Sequence, residues 1–220
     1  MSNRRLVIAI DGPAGAGKST IAKRVAEILK LEYIDTGAMY RALTLKVIEA
    51  GIDPKDTDRV INLMETTSIY FKDNHIYLDG ENVDKEIRKN AISNNVSDIS
   101  KIKEVREKMV ELQRKLSESS SVILDGRDIG TVVLPNANYK FFITASVEER
   151  ARRRYNELLE KREKDISYGK VLFEIKKRDD IDSTRRIAPL KKSIDAYLLD
   201  TTSKSVEECV NEIIAVIEGR

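Results

Sequence analysis

Hydrophobic positions along the chain follow two alternating textures. Short, mostly apolar runs at Leu6–Ile10, Leu31–Ile34, Val122–Leu124, Lys140–Thr144 and Tyr197–Leu199 read as strands of a buried parallel sheet. Between them the apolar residues recur at helical spacing. Helices are predicted from about Lys18 to Lys30, over Ala38–Ala50 and over Asp56–Met64. Asp35 or Thr36 supplies a cap for the second of these and Gly51 a stop. Ile99, Ile102, Val105, Met109, Leu112 and Leu116 repeat at spacings of 3, 3, 4, 3 and 4, which is one stripe of an amphipathic helix. A polar break follows at Ser117–Ser121. Ser146-Val147-Glu148-Glu149 fits a capping box opening a basic helix to about Lys161. Lys164–Gly169 reads as a loop, Lys170–Arg178 as a helix, and Ser205-Val206-Glu207-Glu208 as the cap of a final helix.

One stretch breaks the alternation. Ser68–Phe71 and His75–Leu78 are strand-like and joined by the turn-prone Lys72-Asp73-Asn74; Asp79-Gly80 makes a hairpin turn into Glu81-Asn82-Val83. A small antiparallel meander at residues 66–96 is therefore expected as an insert in a core of residues 1–65 and 97–220. Strands alternating with helices imply a five-stranded parallel sheet with helices on both faces. The four prolines, Pro13, Pro54, Pro135 and Pro189, all fall in expected loops.

Composition narrows the chemistry. The 220 residues are 41% apolar and carry a formal charge of +2, too apolar and too weakly charged for a disordered chain. The total hides an asymmetry: Arg150–Arg186 holds 13 Lys/Arg against 8 Asp/Glu, a net of +5, and the rest of the chain is net −3. A bulk polyanion binder is excluded, whereas a local basic strip is not. One cysteine, Cys209, and one histidine, His75, exclude an internal disulfide and a Cys/His zinc cluster; with His75 in an expected strand, Ser-His-Asp and Cys-His catalysis are not expected. Cys209 falls in an apolar stripe of the last helix, as a small buried hydrophobe. The apolar run after Arg4-Arg5 is five residues long and stops at Asp11, against roughly 7–15 for a secretory signal. A cytoplasmic protein without a membrane partner is expected.

Gly12-Pro13-Ala14-Gly15-Ala16-Gly17-Lys18-Ser19 matches G-x-x-x-x-G-K-[ST] and lies between a buried strand and a helix, the context a phosphate-binding loop requires. Its backbone N–H groups and the helix N-terminus face phosphate oxygens. Lys18 reaches the β/γ-phosphates and the Ser19 hydroxyl ligates Mg²⁺. The chain has no N-K-x-D base-recognition motif of a GTPase. It offers instead polar residues after strands. Arg41 in Asp35-Thr36-Gly37-Ala38-Met39-Tyr40-Arg41 is either a clamp on an acceptor phosphate or a solvated arginine. Asp125-Gly126-Arg127-Asp128 follows a core strand; Asp125 is a candidate for the Mg²⁺ shell through water, with Arg127 and Asp128 entering the cleft at the strand ends. Arg150, Arg152, Arg153 and Arg154 open a helix against its dipole, so one or two of them closing over a triphosphate is set against a solvated or nucleic-acid-binding face. Arg178, Asp182 and Arg185 occupy i, i+4 and i+7, one helical face.

These motifs in this order, with Ile129-Gly130-Thr131-Val132-Val133 after Asp128 and Ala188-Pro189-Leu190 after Arg178-Asp179-Asp180, resemble the bacterial cytidylate kinases over nearly the whole chain. The resemblance implies a P-loop nucleoside monophosphate kinase of the α/β class: a five-stranded parallel core, a CMP-binding antiparallel insert, and a helical lid at about 150–178 that closes with Lys164–Gly169 over both nucleotides. It implies transfer of the γ-phosphoryl group of ATP to CMP or dCMP with Mg²⁺. ATP would be held by Gly12, Pro13, Ala14, Gly15, Ala16, Gly17, Lys18, Ser19 and Thr20. Thr36 would lie near the acceptor nucleotide, and Arg41, Arg127 and Arg185 on its phosphate. Ser97, Arg106 and Asp128 would read cytosine, with Ser93 and Ser100 as alternatives to Ser97; Arg178 and Asp182 would bind the sugar. Lys18, Arg127, Arg185 and Arg154 are the cations assigned to the transferring group, and Ser19 with Asp125 to the metal. A monomer acting on small nucleotides, without a nucleic-acid partner, is expected. Another P-loop kinase with a different acceptor, or a nucleotide-dependent nucleic-acid-binding module using Arg150–Arg154, are the competing readings.

Overall fold

A computed structural model describes residues 5–163 and 165–219. The chain forms two compact units, one comprising residues up to Leu31 and from Ser121 onward, the other Glu32–Ser120. The parallel sheet has five strands in the order β2-β6-β1-β7-β8, where β1 is Val7–Asp11, β2 Glu32–Asp35, β6 Val122–Gly126, β7 Tyr139–Thr144 and β8 Tyr197–Asp200. Four of these strands belong to the first unit; β2 opens the second. Every residue of β1 and β6 is buried, which is why those runs carry no polar alternation until their last positions. Their register pairs Ile10 with Asp125 and Asp11 with Gly126. The loop after β1 and the loop after β6 thus leave the same end of the sheet side by side.

The first unit adds α1 (Lys18–Leu29), α6 (Val147–Glu160), α7 (Tyr168–Thr184) and α8 (Val206–Glu218). Ser205 caps α8 in a full capping box with Glu208. Ser146 caps α6 by accepting from the Glu149 amide, but the reciprocal half of the expected box is missing, because the Glu149 carboxylate pairs with Arg152 and Arg153 instead. Ala151, Leu158, Val171 and Ile175 pack α6 against α7. The latter runs well beyond Lys170–Arg178 at both ends. Its alternating charges place Asp182 on the buried side, and Tyr168 and Gly169, expected in a loop, already form its first turn. Lys164 of that expected loop lies outside the described residues. Cys209 is buried as expected.

The second unit holds α2 (Thr36–Glu49), α3 (Thr57–Glu65), α4 (Asn90–Ser100) and α5 (Lys103–Ser119) around a three-stranded antiparallel sheet of β3 (Ile69–Lys72), β4 (His75–Leu78) and β5 (Glu81–Asn82). Both hairpin turns carry positive φ at their two central residues, Asp73-Asn74 and Asp79-Gly80, the twist that suits two-residue loops. Asp35, rather than Thr36, caps α2 through the Ala38 amide. The single helix expected through Ile99–Leu116 is two helices: α4 ends at Ser100, and Ile102 takes an extended conformation as the cap of α5. The apolar spacing survives the break because Ile99 and Ile102 both face the same core. The Asn/Ser-rich stretch of α4 has weak intrinsic helix propensity, and burial of Ile92, Val96 and Ile99 holds it.

Candidate functional site

The loop between β1 and α1 is shaped by two glycines. Gly12 has φ 148° and a side chain there would meet the Ile143 carbonyl oxygen at 1.9 Å, so only glycine fits. Gly17, left-handed at φ 86°, starts α1 without a side-chain cap, and the first turn carries no acidic residue. Its amides remain available to an anion. Lys18 is buried, and its Nζ donates to the Pro13 carbonyl at 2.8 Å. Burial, with the positive charge of Arg127 nearby, pulls this amine down to about 7. Ser19 Oγ donates to Asp125 Oδ2 at 2.7 Å. The two oxygens expected at the metal are therefore already together, at the ends of α1 and β6. Thr20 is exposed one residue further along α1.

Two residues that the motif does not specify hold this loop from behind. Arg150 is 5% exposed; it donates to the carbonyls of Ala14 and Ala145 at 3.1 and 3.0 Å and pairs with Asp179 of α7 at 2.7 Å. Thr201 donates to the Ala16 carbonyl at 3.1 Å and accepts from Arg153 at 3.0 Å. Of the four arginines expected as a charged face, Arg150 and Arg153 are thus structural. Arg152 pairs with Glu149 in solvent, and Arg154 pairs with Glu157 at 2.8 Å. A stripe of four arginines for a nucleic-acid backbone is not presented. Replacing Arg150 with methionine is expected to cost about 3 kcal/mol, since the buried guanidinium leaves two carbonyls and the half-buried Asp179 without their donor. Arg154→Met should cost less than about 1 kcal/mol, as for exposed pairs. Urea unfolding that ranks the two equally would contradict this assignment.

Beyond β6 the same unit gathers Arg127, Asp128, Arg178, Asp182 and Arg185. Arg127 Nε donates to Asp182 Oδ2 at 2.9 Å, and Arg185 Nη2 to Asp128 Oδ1 at 3.4 Å. Burial acts to raise the Asp182 carboxyl, but Arg127, Arg178 and Arg185 together hold it below the usual carboxylate range. Both carboxylates are buried. The residues 129–133 form one turn of π-helix that no periodicity signalled. Asp11, also buried, accepts from the amides of Ile129 and Gly130 at 2.7 and 2.8 Å. Burial pushes its carboxyl up to about 6 against these two bonds.

In the second unit Arg41 Nη2 lies 2.6 Å from Asp35 Oδ2, and Thr36 is buried beside them. Burial would raise Asp35, yet the Arg41 charge and hydrogen bond, with Arg88 adding to them, keep it low. Arg106 is buried with its guanidinium 5.6 Å from the centre of the Tyr40 ring, a cation–π distance. Its Nη1 donates to the Ser100 carbonyl at 3.1 Å. Ser97 is half-buried on α4, and its carbonyl accepts from Ser100 Oγ at 3.3 Å. Ser93, Ser97 and Ser100 share one face of α4.

The family model described as cytidylate kinase matches residues 8–219. A cytidylate kinase of Clostridioides difficile (strain 630) is 56% identical over 212 residues, covering 96% of this chain and 98% of the relative. Another, of Caldanaerobacter subterraneus subsp. tengcongensis, is 52% identical over 217 residues, covering 99% and 96%. Among solved structures, a gluconokinase from Sinorhizobium meliloti 1021 superposes with TM-score 0.52 at 14% identity, covering 98% of this chain and 94% of that one. A shikimate kinase from Acinetobacter baumannii in complex with shikimate gives 0.50 at 16%, with the same coverage. At such identity these two establish the P-loop kinase fold alone.

Proposed function

Because the chain belongs to the cytidylate kinase family, we infer that it transfers the γ-phosphoryl group of ATP to CMP or dCMP, giving ADP and CDP or dCDP. The observation that carries this reading is one cluster in which the phosphate loop is tied to the end of β6 through Ser19 and Asp125, two residues before Arg127 and its partner Asp182. Such a site binds two anionic groups and needs no strong base. A phosphate oxygen of the acceptor attacks the γ-phosphorus, the bond to the β–γ bridging oxygen breaks, and ADP leaves with its electron pair. No proton need move when the acceptor phosphate is a dianion, so positioning and charge stabilisation supply the rate.

In this reading Gly12 to Thr20 hold ATP, with Lys18 on its β/γ-phosphates. Arg127 and Arg185 turn from their carboxylate partners toward the acceptor phosphate, joined by Arg41. Arg154 exchanges Glu157 for the transferring group, Arg178 and Asp182 take the sugar, and Thr36, Ser97, Arg106 and Asp128 take the acceptor nucleotide and its base. Asp128 accepting from the cytosine amine favours CMP over UMP. Ser19 and, through water, Asp125 suit Mg²⁺, since both are hard oxygen donors and are already hydrogen-bonded to each other. Bound there with the donor phosphates, Mg²⁺ would offset their charge. The meander at 66–96 is proposed as the acceptor-side insert and about 150–178 as the lid. Among the described residues no helix is long and apolar enough to cross a membrane; a cytoplasmic monomer is proposed.

Initial rates of ADP formation with Mg-ATP and a panel of CMP, dCMP, UMP, AMP and GMP test the reading. CMP and dCMP should exceed the others. Equal rates across the panel, or a steep salt-dependent affinity for DNA or RNA, would overturn it.

A further inference from the structure

The π-helical turn Ile129–Val133 follows directly on Asp128, which stands at its cap position. An aspartate there ordinarily accepts from the second or third amide of its own turn, here Gly130 or Thr131. Here the Asp128 side chain makes no capping bond, and its Oδ1 accepts from Arg185 instead. The first two amides of the turn, Ile129 and Gly130, both go to the carboxylate of Asp11, one oxygen each. Asp11 is the last residue of β1, next to Gly126 in the sheet and 118 positions before Ile129 in the chain. Gly130 permits the close approach: a Cβ there would sit 3.3 Å from Asp11 Oδ2 and 3.2 Å from Lys140 Cδ. π turns of this kind cluster at functional sites.

We propose that Asp11 is a positioning residue that caps the π turn in place of Asp128, and so spares the Asp128 carboxylate the capping role for its part at the acceptor base. The inference rests on Asp128 reading the base. Without Asp11 the two amides lose their acceptor, and Asp128, at the cap position, can then take the Gly130 amide as an ordinary cap does. The base-reading group would then be drawn into the role it is spared in the native turn.

The test is Asp11→Asn, which keeps size and fold but offers one acceptor oxygen where two amides donate. Three readouts are taken on the full-length protein. Hydrogen exchange at the Ile129 amide, which Asp128 cannot cap, should quicken while β1 and β6 stay protected. The ratio of kcat/KM for CMP over UMP should fall roughly tenfold, through KM for CMP with KM for ATP little changed, as for loss of one buried hydrogen-bonding group. In an Asp128→Ala background Asp11→Asn should change that ratio no further, since the two residues act in series. Gly130→Ala, which presses on the same contact from the other side, should repeat the KM effect. A lower melting temperature with the CMP/UMP ratio intact would make Asp11 merely structural, and an additive fall in the double variant would overturn the serial link. If Asp128→Ala alone leaves the ratio unchanged, base reading by Asp128 fails and the proposal's specificity consequence with it, while the exchange measurement still decides the capping.

Discussion

Lys18→Ala is expected to lower kcat by about two to three orders of magnitude, the usual loss when a preorganised donor to developing charge is removed, without unfolding the protein. The native amine is buried and donates to the Pro13 carbonyl. Burial and the neighbouring arginine charge pull it down to about 7, so the folded enzyme without nucleotide bears a penalty for holding a cation there. Alanine removes the penalty along with the function. The sign of the pH effect follows. Between about 7 and the ordinary lysine value of 10.5 the unfolded chain binds the proton more tightly than the folded one, and stability of the parent rises with pH. The melting temperature of Lys18→Ala should therefore match or exceed the parent's near pH 7, with the difference shrinking toward pH 10. A variant that melts far below the parent at pH 7, or that retains most of its kcat, would contradict this role.

Asp128→Ala should cut kcat/KM for CMP roughly tenfold to a hundredfold while leaving UMP nearly unchanged, because a buried carboxylate that pairs with an exocyclic amine is worth about 1–3 kcal/mol. Its present partner Arg185 also bonds the Ala188 carbonyl at 2.6 Å and faces Asp182. The arginine therefore keeps its place when Asp128 is lost, and the acceptor phosphate keeps that contact. Parallel losses for CMP and UMP would show that Asp128 supports the arginines and does not read the base.

The phosphate loop was legible in the sequence because it is local: strand, glycine turn and helix lie within one short segment, and each demands its residue types. The polar residues after β6 were legible for the related reason that packing gives no account of Asp125, Arg127 and Asp128 at the end of a core strand. What escaped was non-local. Asp11 read as the end of an apolar run, and only the register of β1 beside β6 puts it under Ile129 and Gly130. Arg150 and Arg153 read as part of a charged face, because nothing in their spacing says that Ala14, Ala145 and Thr201 offer them carbonyls and a hydroxyl. The break between α4 and α5 was invisible to periodicity since the apolar residues on both sides reach one core. The net charge of +2 was informative only once divided. Part of the positive charge in 150–186 serves the fold, with Arg150 on the back of the phosphate loop and Arg153 on Thr201.

Direct transfer of a phosphoryl group between two nucleotides is tested most directly by the destination of labelled γ-phosphate. With ATP labelled at the γ-position, Mg²⁺ and CMP, the label should appear in the β-phosphate of CDP in step with ADP formation, with little free phosphate. Label accumulating as inorganic phosphate, at a rate indifferent to CMP, would contradict it.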